Sequence, residues 1–259
     1  MTTGWTLGRV ARGLGRRVPL RPLVAVLPFR LTRPLVRLWL AVLRAHPDRA
    51  QALRHLLLAV EDAQAAMDRA AIAYDRGVHP KHRLTGYHDF FVERIRPEEV
   101  VLDVGCGIGT VAHDIVERSG AHVLAIDTSP WSLTFARANF VHPRLEFVEA
   151  DALEFGPPMP VDVAVLSNVL EHIGPRIELL RALRERAGAS RLLIRVPSIE
   201  RDWAVPLRQE LGLPHFSDPT HELEYTPDLL AAELREAGWR MGEPLLRWGE
   251  IWVEATIPS

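Results

Sequence analysis

The sequence has one cysteine, one lysine and, over its first 47 residues, neither an aspartate nor a glutamate. The single thiol, Cys106, rules out an intrachain disulfide and with it a disulfide-stapled secreted scaffold. No apolar run is long. The longest in the leader, Leu23 to Phe29, is interrupted by Pro28 and falls far short of the ~20 residues that span a bilayer. Arginines and prolines also spoil it as the core of a signal peptide, so a cytoplasmic location is expected. Of the 31 basic residues, 30 are arginine. A GC-rich genome accounts for that bias, and Lys81 stands out against it.

The missing acids make the net charge of −2 misleading. Residues 1–47 hold nine arginines, whereas the remainder carries 22 basic against 33 acidic residues. An acidic body excludes nucleic acid as the expected substrate, while the basic leader suits an anionic surface. Prolines 19, 22, 28 and 34 break that leader into short basic-apolar helices. It is therefore read as a helical cap on the body, or on a second copy in a homodimer. Peripheral membrane contact through residues 1–47 is the alternative.

With 259 residues, 47% of them apolar, the chain can build one α/β domain plus an appendage. We divide it into a helical appendage over 1–78 and a domain over 79–259. An amphipathic helix is expected from Asp48 to about Arg76, with Leu53, Leu57, Val60, Met67 and Tyr74 on its apolar side and Gly77 as its stop. His79 to Gly86 reads as a polar turn, and Tyr87 to Arg96 as a helix. From Val100 strands and helices alternate. Strands are expected at 100–104, 122–126, 145–148, 161–166 and 191–196, and helices at 108–119, 130–138, 175–187 and 228–237. That order predicts a doubly wound, mostly parallel sheet of seven strands. The last two, 240–246 and 250–257, form a C-terminal hairpin and place one antiparallel strand in it.

The strongest local signal is Val-Leu-Asp-Val-Gly-Cys-Gly-Ile-Gly-Thr, residues 101–110. An apolar strand runs into three alternate glycines and then a helix. Glycine lets backbone approach a ligand closely, and the helix start offers free N–H groups. A dinucleotide fingerprint reads G-x-G-x-x-G, whereas Gly105, Gly107 and Gly109 give G-x-G-x-G. This disfavours a nicotinamide oxidoreductase. Asp103 would repel a pyrophosphate and suits a ligand carrying an ammonium group. Cys106 is read as a packing residue.

Over roughly residues 79–257 the sequence resembles the class I, Rossmann-like, S-adenosylmethionine-dependent methyltransferases. The resemblance implies that Asp103 helps hold the methionine amino group of S-adenosylmethionine. The glycine turn then passes under methionine and ribose, and Asp127, followed by Thr128, binds the ribose hydroxyls. Asp151 in Glu-Ala-Asp-Ala-Leu meets the adenine amino group, and Ala152 offers a backbone contact. Asn168, after the fourth strand, is a further cofactor-binding candidate, and the following Leu-Glu-His resembles the post-strand signature of many small-molecule members. His172 is thereby placed near the transferring methyl. The segment 79–88 matches a lid, in which Arg83 or Tyr87 meets the methionine carboxylate.

Methyl transfer needs alignment and exclusion of water, and an oxygen acceptor must also lose a proton. His172 and His221 are the candidate bases. The stretch 198–226 is too long for a plain connection and reads as a substrate cap. Trp203, His215, Tyr225 and Lys81 are its and the lid's candidate acceptor contacts. His215, Asp218 and His221 lie three apart, but a Pro-interrupted loop fixes no geometry, so no metal is expected. The expected function is methylation of a small-molecule acceptor, at oxygen, in a sugar or specialised metabolite. Methylation at nitrogen or carbon, or a silent module that only binds S-adenosylmethionine, remain the alternatives.

Overall fold

The structure, a computed structural model, describes residues 29–75 and 77–258. The expected breaks at Pro19, Pro22 and Pro28 lie outside the described residues. The chain divides into two compact units between Ala65 and Ala66.

In the first unit, α1 spans Phe29–Arg44 and contains Pro34. Proline removes one backbone hydrogen bond, yet the helix continues past it, contrary to expectation. Leu31, Leu35, Leu38 and Val42 share one face at helical spacing and are all exposed; no residue of α1 is buried. Helix α2, Arg49–Tyr74, holds the unit boundary. Its buried residues are Ala52 and Ala59, not the larger side chains of the expected apolar side. Val60, Met67 and Tyr74 are exposed.

The second unit opens with two short helices, α3 (Lys81–Leu84) and α4 (Asp89–Val92). The expected turn therefore includes one helical turn, and the expected helix at 87–96 shrinks to four residues. Tyr87, Phe90, Phe91, Val92 and Ile95 are all buried, so packing joins the local backbone hydrogen bonds in fixing this segment.

Then follow β1 (Val100–Val104), α5 (Thr110–Ser119), β2 (His122–Asp127), α6 (Pro130–Asn139), β3 (Leu145–Glu149) and β4 (Val163–Ser167). A 3-10 turn at Leu170–His172 precedes α7 (Arg176–Glu185), β5 (Arg191–Pro197), α8 (Ala204–Glu210) and α9 (Pro227–Glu236). Helices α6 and α9 start at Ser129-Pro130 and Thr226-Pro227. Each hydroxyl accepts a backbone N–H three residues on, and each proline takes the first helical position.

The sheet runs β3-β2-β1-β4-β5-β8, parallel except for β8 (Glu250–Thr256), which is antiparallel to β5. Among the described residues the strands number eight rather than seven. The penultimate strand splits into β6 (Arg240–Met241) and β7 (Leu245–Arg247), both paired with β8. Met241 faces Ala255 and Leu245 faces Trp252, so three residues oppose two. That is a bulge, placed where Pro244 has no N–H to give the ladder. Side chains alternate between two cores. Leu102, Val104, Ile126, Leu166 and Ile194 pack on one face, and Val101, Val123, Ala125, Val165 and Leu193 on the other. Asp103 and Arg195 fall in the second set by parity, and that places both on one face near the strand ends.

Candidate functional site

At the end of β1 the backbone turns through Gly105, Gly107 and Gly109 with φ of 63°, 53° and 83°. A Cβ on Gly105 would sit 2.8 Å from Val169, and one on Gly109 2.7 Å from Phe147. Nothing lies within 4 Å of the Cβ position at Gly107, so the turn is packed at both ends and open in its middle. Asp127 is fixed at the end of β2. Its Oδ2 accepts the Gly107 N–H at 2.7 Å and its Oδ1 the Ser129 N–H at 2.8 Å. Each oxygen retains a lone pair for a ligand hydroxyl. Asp151, exposed after β3, accepts the Leu153 N–H at 2.9 Å. Ala152 beside it is half-buried, and Thr128 is exposed.

Asp103 is buried, and its Oδ2 has no hydrogen-bond partner. Burial, with the charge of Asp127, pushes its carboxyl up to about 7, against the pull of the Ala112 N–H and Arg195. A buried acceptor without a donor costs free energy until a ligand supplies one.

Five more unpartnered buried polar groups come from β5, β8 and the 3-10 turn: Arg195 Nη1, Glu250 Oε2, Trp252 Nε1 and both oxygens of Glu171. Arg195 links them. Its Nε donates to Asn168 Oδ1 at 2.8 Å, lies 3.7 Å from Glu250, and its guanidinium covers the Tyr87 ring at 3.5 Å. Asn168 holds φ of 59°, a left-handed value that asparagine tolerates. The Tyr87 hydroxyl donates to Glu250 at 3.3 Å. Burial also pushes Glu171 up to about 8. Sequence reasoning gave Arg195, Glu250 and Glu171 no role. The available signal was an arginine inside the apolar strand Leu-Leu-Ile-Arg-Val.

The cap is stitched to the 3-10 turn, since the Glu222 N–H donates to the Glu171 carbonyl at 2.8 Å. This brings the His172 and His221 rings to 4.7 Å, edge to face. His172 Nδ1 lies 3.1 Å from Thr220 Oγ1, and His221 Nδ1 lies 3.0 Å from Glu224 Oε1. Glu224 is buried and also holds Arg201. His215 and Asp218 do not join a donor cluster with His221 among the described residues; Glu171, His172 and His221 do.

Other expected contacts are placed differently. Tyr225 is fully buried in the core, its hydroxyl donating to Glu233 at 2.8 Å, so it packs rather than meets an acceptor. Trp203 is 76% exposed, with its ring in solvent. The His215 ring packs within the cap, 4.6 Å from the Phe216 ring. Arg83 pairs with Asp75 at 3.3 Å. It also lines a separate cleft of about 370 Å³ between the 78–89 segment and α5, where His82, His88 and Asp114 form a hydrogen-bonded chain. Lys81 is exposed, yet its Nζ reaches 5.0 Å from the Tyr87 ring centre, on the ring that Arg195 also covers.

Residues 101–189 match the family model described as a methyltransferase domain. Over those residues the chain is similar to methyltransferase domains. Trans-aconitate 2-methyltransferase of Streptomyces avermitilis is 32% identical over 155 residues, 56% of this chain and 51% of that protein. The mitochondrial ubiquinone biosynthesis O-methyltransferase of Schizosaccharomyces pombe is 28% identical over 116 residues, 41% of this chain and 42% of that protein. The chain thus spans about half the length of the curated relatives it matches. The methyltransferase fold recurs in magnesium protoporphyrin IX methyltransferase from Synechocystis PCC 6803, solved with bound SAH. There the TM-score is 0.55 at 17% identity, over 70% of this chain and 84% of that one. In this domain the glycine turn and Asp127 stand at the ends of β1 and β2, where open α/β sheets bind their ligands.

Proposed function

We propose that the protein transfers a methyl group from S-adenosylmethionine to an oxygen of a small-molecule acceptor. The observation that carries this reading is the buried, unpartnered Asp103 Oδ2 beside a glycine turn whose middle is open. The residues present fit the cofactor. Asp103 would take the methionine ammonium, Gly107 lets backbone come close, and Asp127 would take the ribose hydroxyls. Asp151 and Ala152 would flank the adenine, and Arg195 with Tyr87 stands where a carboxylate would meet a cation. S-adenosylmethionine supplies an electrophilic methyl on a sulfonium. The chain holds the two reactants in line and excludes water. His172 and His221 present free Nε2 lone pairs for activating the acceptor hydroxyl.

The relatives, one named for trans-aconitate and one for ubiquinone biosynthesis, support a small molecule. A sugar or a specialised metabolite is the acceptor we infer within that class, in a cytoplasmic setting. Asp127→Ala tests the cofactor half. A charge-assisted hydrogen bond contributes roughly 1.5–3 kcal/mol, so the calorimetric affinity is expected to fall at least about tenfold with the fold intact. Unchanged affinity would remove Asp127 from the site.

For the leader we infer contact with an anionic lipid surface. Pro34 does not break α1, so over the described part of the leader that proline gives no reason to prefer a cap. The helix sets Arg30, Arg33, Arg37 and Arg44 against an exposed Leu31, Leu35, Leu38, Trp39 and Val42. Each basic residue near such a surface contributes roughly 1 kcal/mol. The full chain is expected to sediment with anionic vesicles, less so at high salt, and not after deletion of residues 1–47. A two-chain mass in solution with no vesicle binding would make this face a homodimer contact instead.

A further inference from the structure

We propose that Glu171, His172 and His221 hold a divalent first-row transition cation at the acceptor side of the site. One donor atom from each residue lies within 4.8 Å of the others. Small side-chain rotations would bring the three to the ~2.0–2.2 Å at which nitrogen and carboxylate oxygen bind such ions. Two histidines and one carboxylate leave further coordination positions open.

Three independent features select a cation rather than an acceptor hydrogen bond alone. Glu171 is fully buried, with neither oxygen partnered. Both histidines are held at Nδ1, by Thr220 and by Glu224. Thr220 Oγ1 itself donates to Asp218 at 2.5 Å, so it accepts from His172, and a carboxylate can only accept from His221. Each ring thus carries its proton on Nδ1 and its lone pair on Nε2. A carboxylate or hydroxyl orienting the far nitrogen is the usual support of a metal-binding histidine. The backbone bond from Glu222 to Glu171 joins the turn to the cap, so the donor set closes only when the cap is docked.

This inference rests on the methyltransferase reading for the cation's use. An acceptor oxygen bound at an open position is acidified there and held in place. The acceptor would then belong to a class with an oxygen able to ligate a cation: a catechol, a hydroxy acid or a vicinal diol. The sequence pattern alone, with His215 and Asp218 as the partners weighed for His221, pointed to no metal.

The test uses the full chain, stripped with a chelator and titrated with Co²⁺. Both calorimetry and the visible d–d absorption of bound cobalt are read. One ion per chain is expected, with affinity lowered at least about tenfold in Glu171→Gln and in His221→Gln, as for loss of a direct ligand or its support. His82→Gln, in the separate histidine chain beside α5, is expected to bind as wild type does. Absence of cobalt binding, with and without S-adenosylmethionine, overturns the proposal. So does binding that survives both ligand variants. Circular dichroism of the variants separates a lost ligand from a lost fold. S-adenosylmethionine affinity, measured without cobalt, keeps the two readings apart. A chain that binds S-adenosylmethionine but not cobalt loses only the cation site, and one that binds cobalt but no S-adenosylmethionine loses only the methyltransferase reading.

Discussion

Asp103→Asn is expected to weaken S-adenosylmethionine binding by at least about a hundredfold, with the far-ultraviolet spectrum unchanged. The carboxyl is buried and its free oxygen awaits a cationic donor. Breaking a buried charge pair costs roughly 3–5 kcal/mol, and each 1.4 kcal/mol is about a factor of ten. Asparagine keeps the shape and can still accept from the Ala112 N–H, so the loss falls on the ligand. The pH dependence follows from the same group. Burial and Asp127 push the Asp103 carboxyl up to about 7, with Arg195 opposing. Pairing with an ammonium needs the ionised form. Below that value wild-type affinity is therefore expected to fall about tenfold per pH unit. An α-amino group has an ordinary pKa of about 7.7–8.0, so affinity peaks between the two values and declines once the ammonium is lost. The sign for stability is opposite. In the ligand-free fold this carboxyl holds a proton that the unfolded chain releases near about pH 4, so its contribution to stability falls as pH rises from there to about 7. Calorimetry across that range checks both. Wild-type affinity in the Asp103→Asn variant, or a flat pH dependence in the wild type, would sink the assignment.

The residues proposed for the cofactor could be picked out in the sequence because they are nearly contiguous. A strand, three glycines and a helix start occupy Val100 to Thr110, and Asp127 and Asp151 follow the next two strands. Alternation of apolar runs with amphipathic stretches gave the parallel order for the same local reason. The polar group around Arg195 was not legible. Arg195 meets Glu250 and Trp252 only because β8 runs antiparallel to β5, and Tyr87 joins them from more than 100 residues away in sequence. No spacing rule links those positions. Tyr225 was misplaced because an aromatic residue in a long loop reads as a ligand contact. The structure bridges it to Ser198 and seats it in the core. The lost amphipathic seam of α2 shows the same limit, since helical spacing names a face without saying that anything covers it.

His221→Gln is expected to lower turnover by roughly 10²–10⁴, with S-adenosylmethionine affinity nearly unchanged. His221 is oriented through one ring nitrogen. Nδ1 meets Glu224 at 3.0 Å, and Glu224 is itself fixed by Arg201 and by the backbone and hydroxyl of Ser217. The carboxylate orients the ring and leaves Nε2 as the basic nitrogen, on a ring whose centre lies 4.7 Å from that of His172. A glutamine amide can still donate to Glu224, so the cap keeps its buried acceptor satisfied and remains docked. It has no basic nitrogen, so neither direct nor cation-assisted loss of the acceptor proton proceeds at the normal rate. None of the contacts of His221 reaches Asp103 or Asp127, and for that reason the cofactor affinity should stand. His215→Gln is the matched control within the same cap. That ring packs against Phe216, and its replacement is expected to leave turnover near wild type. Product mass from labelled cofactor and candidate metabolites reads the rate. Wild-type turnover in the His221 variant would mean that the proton leaves by another route, or that the methylated atom carries none to lose.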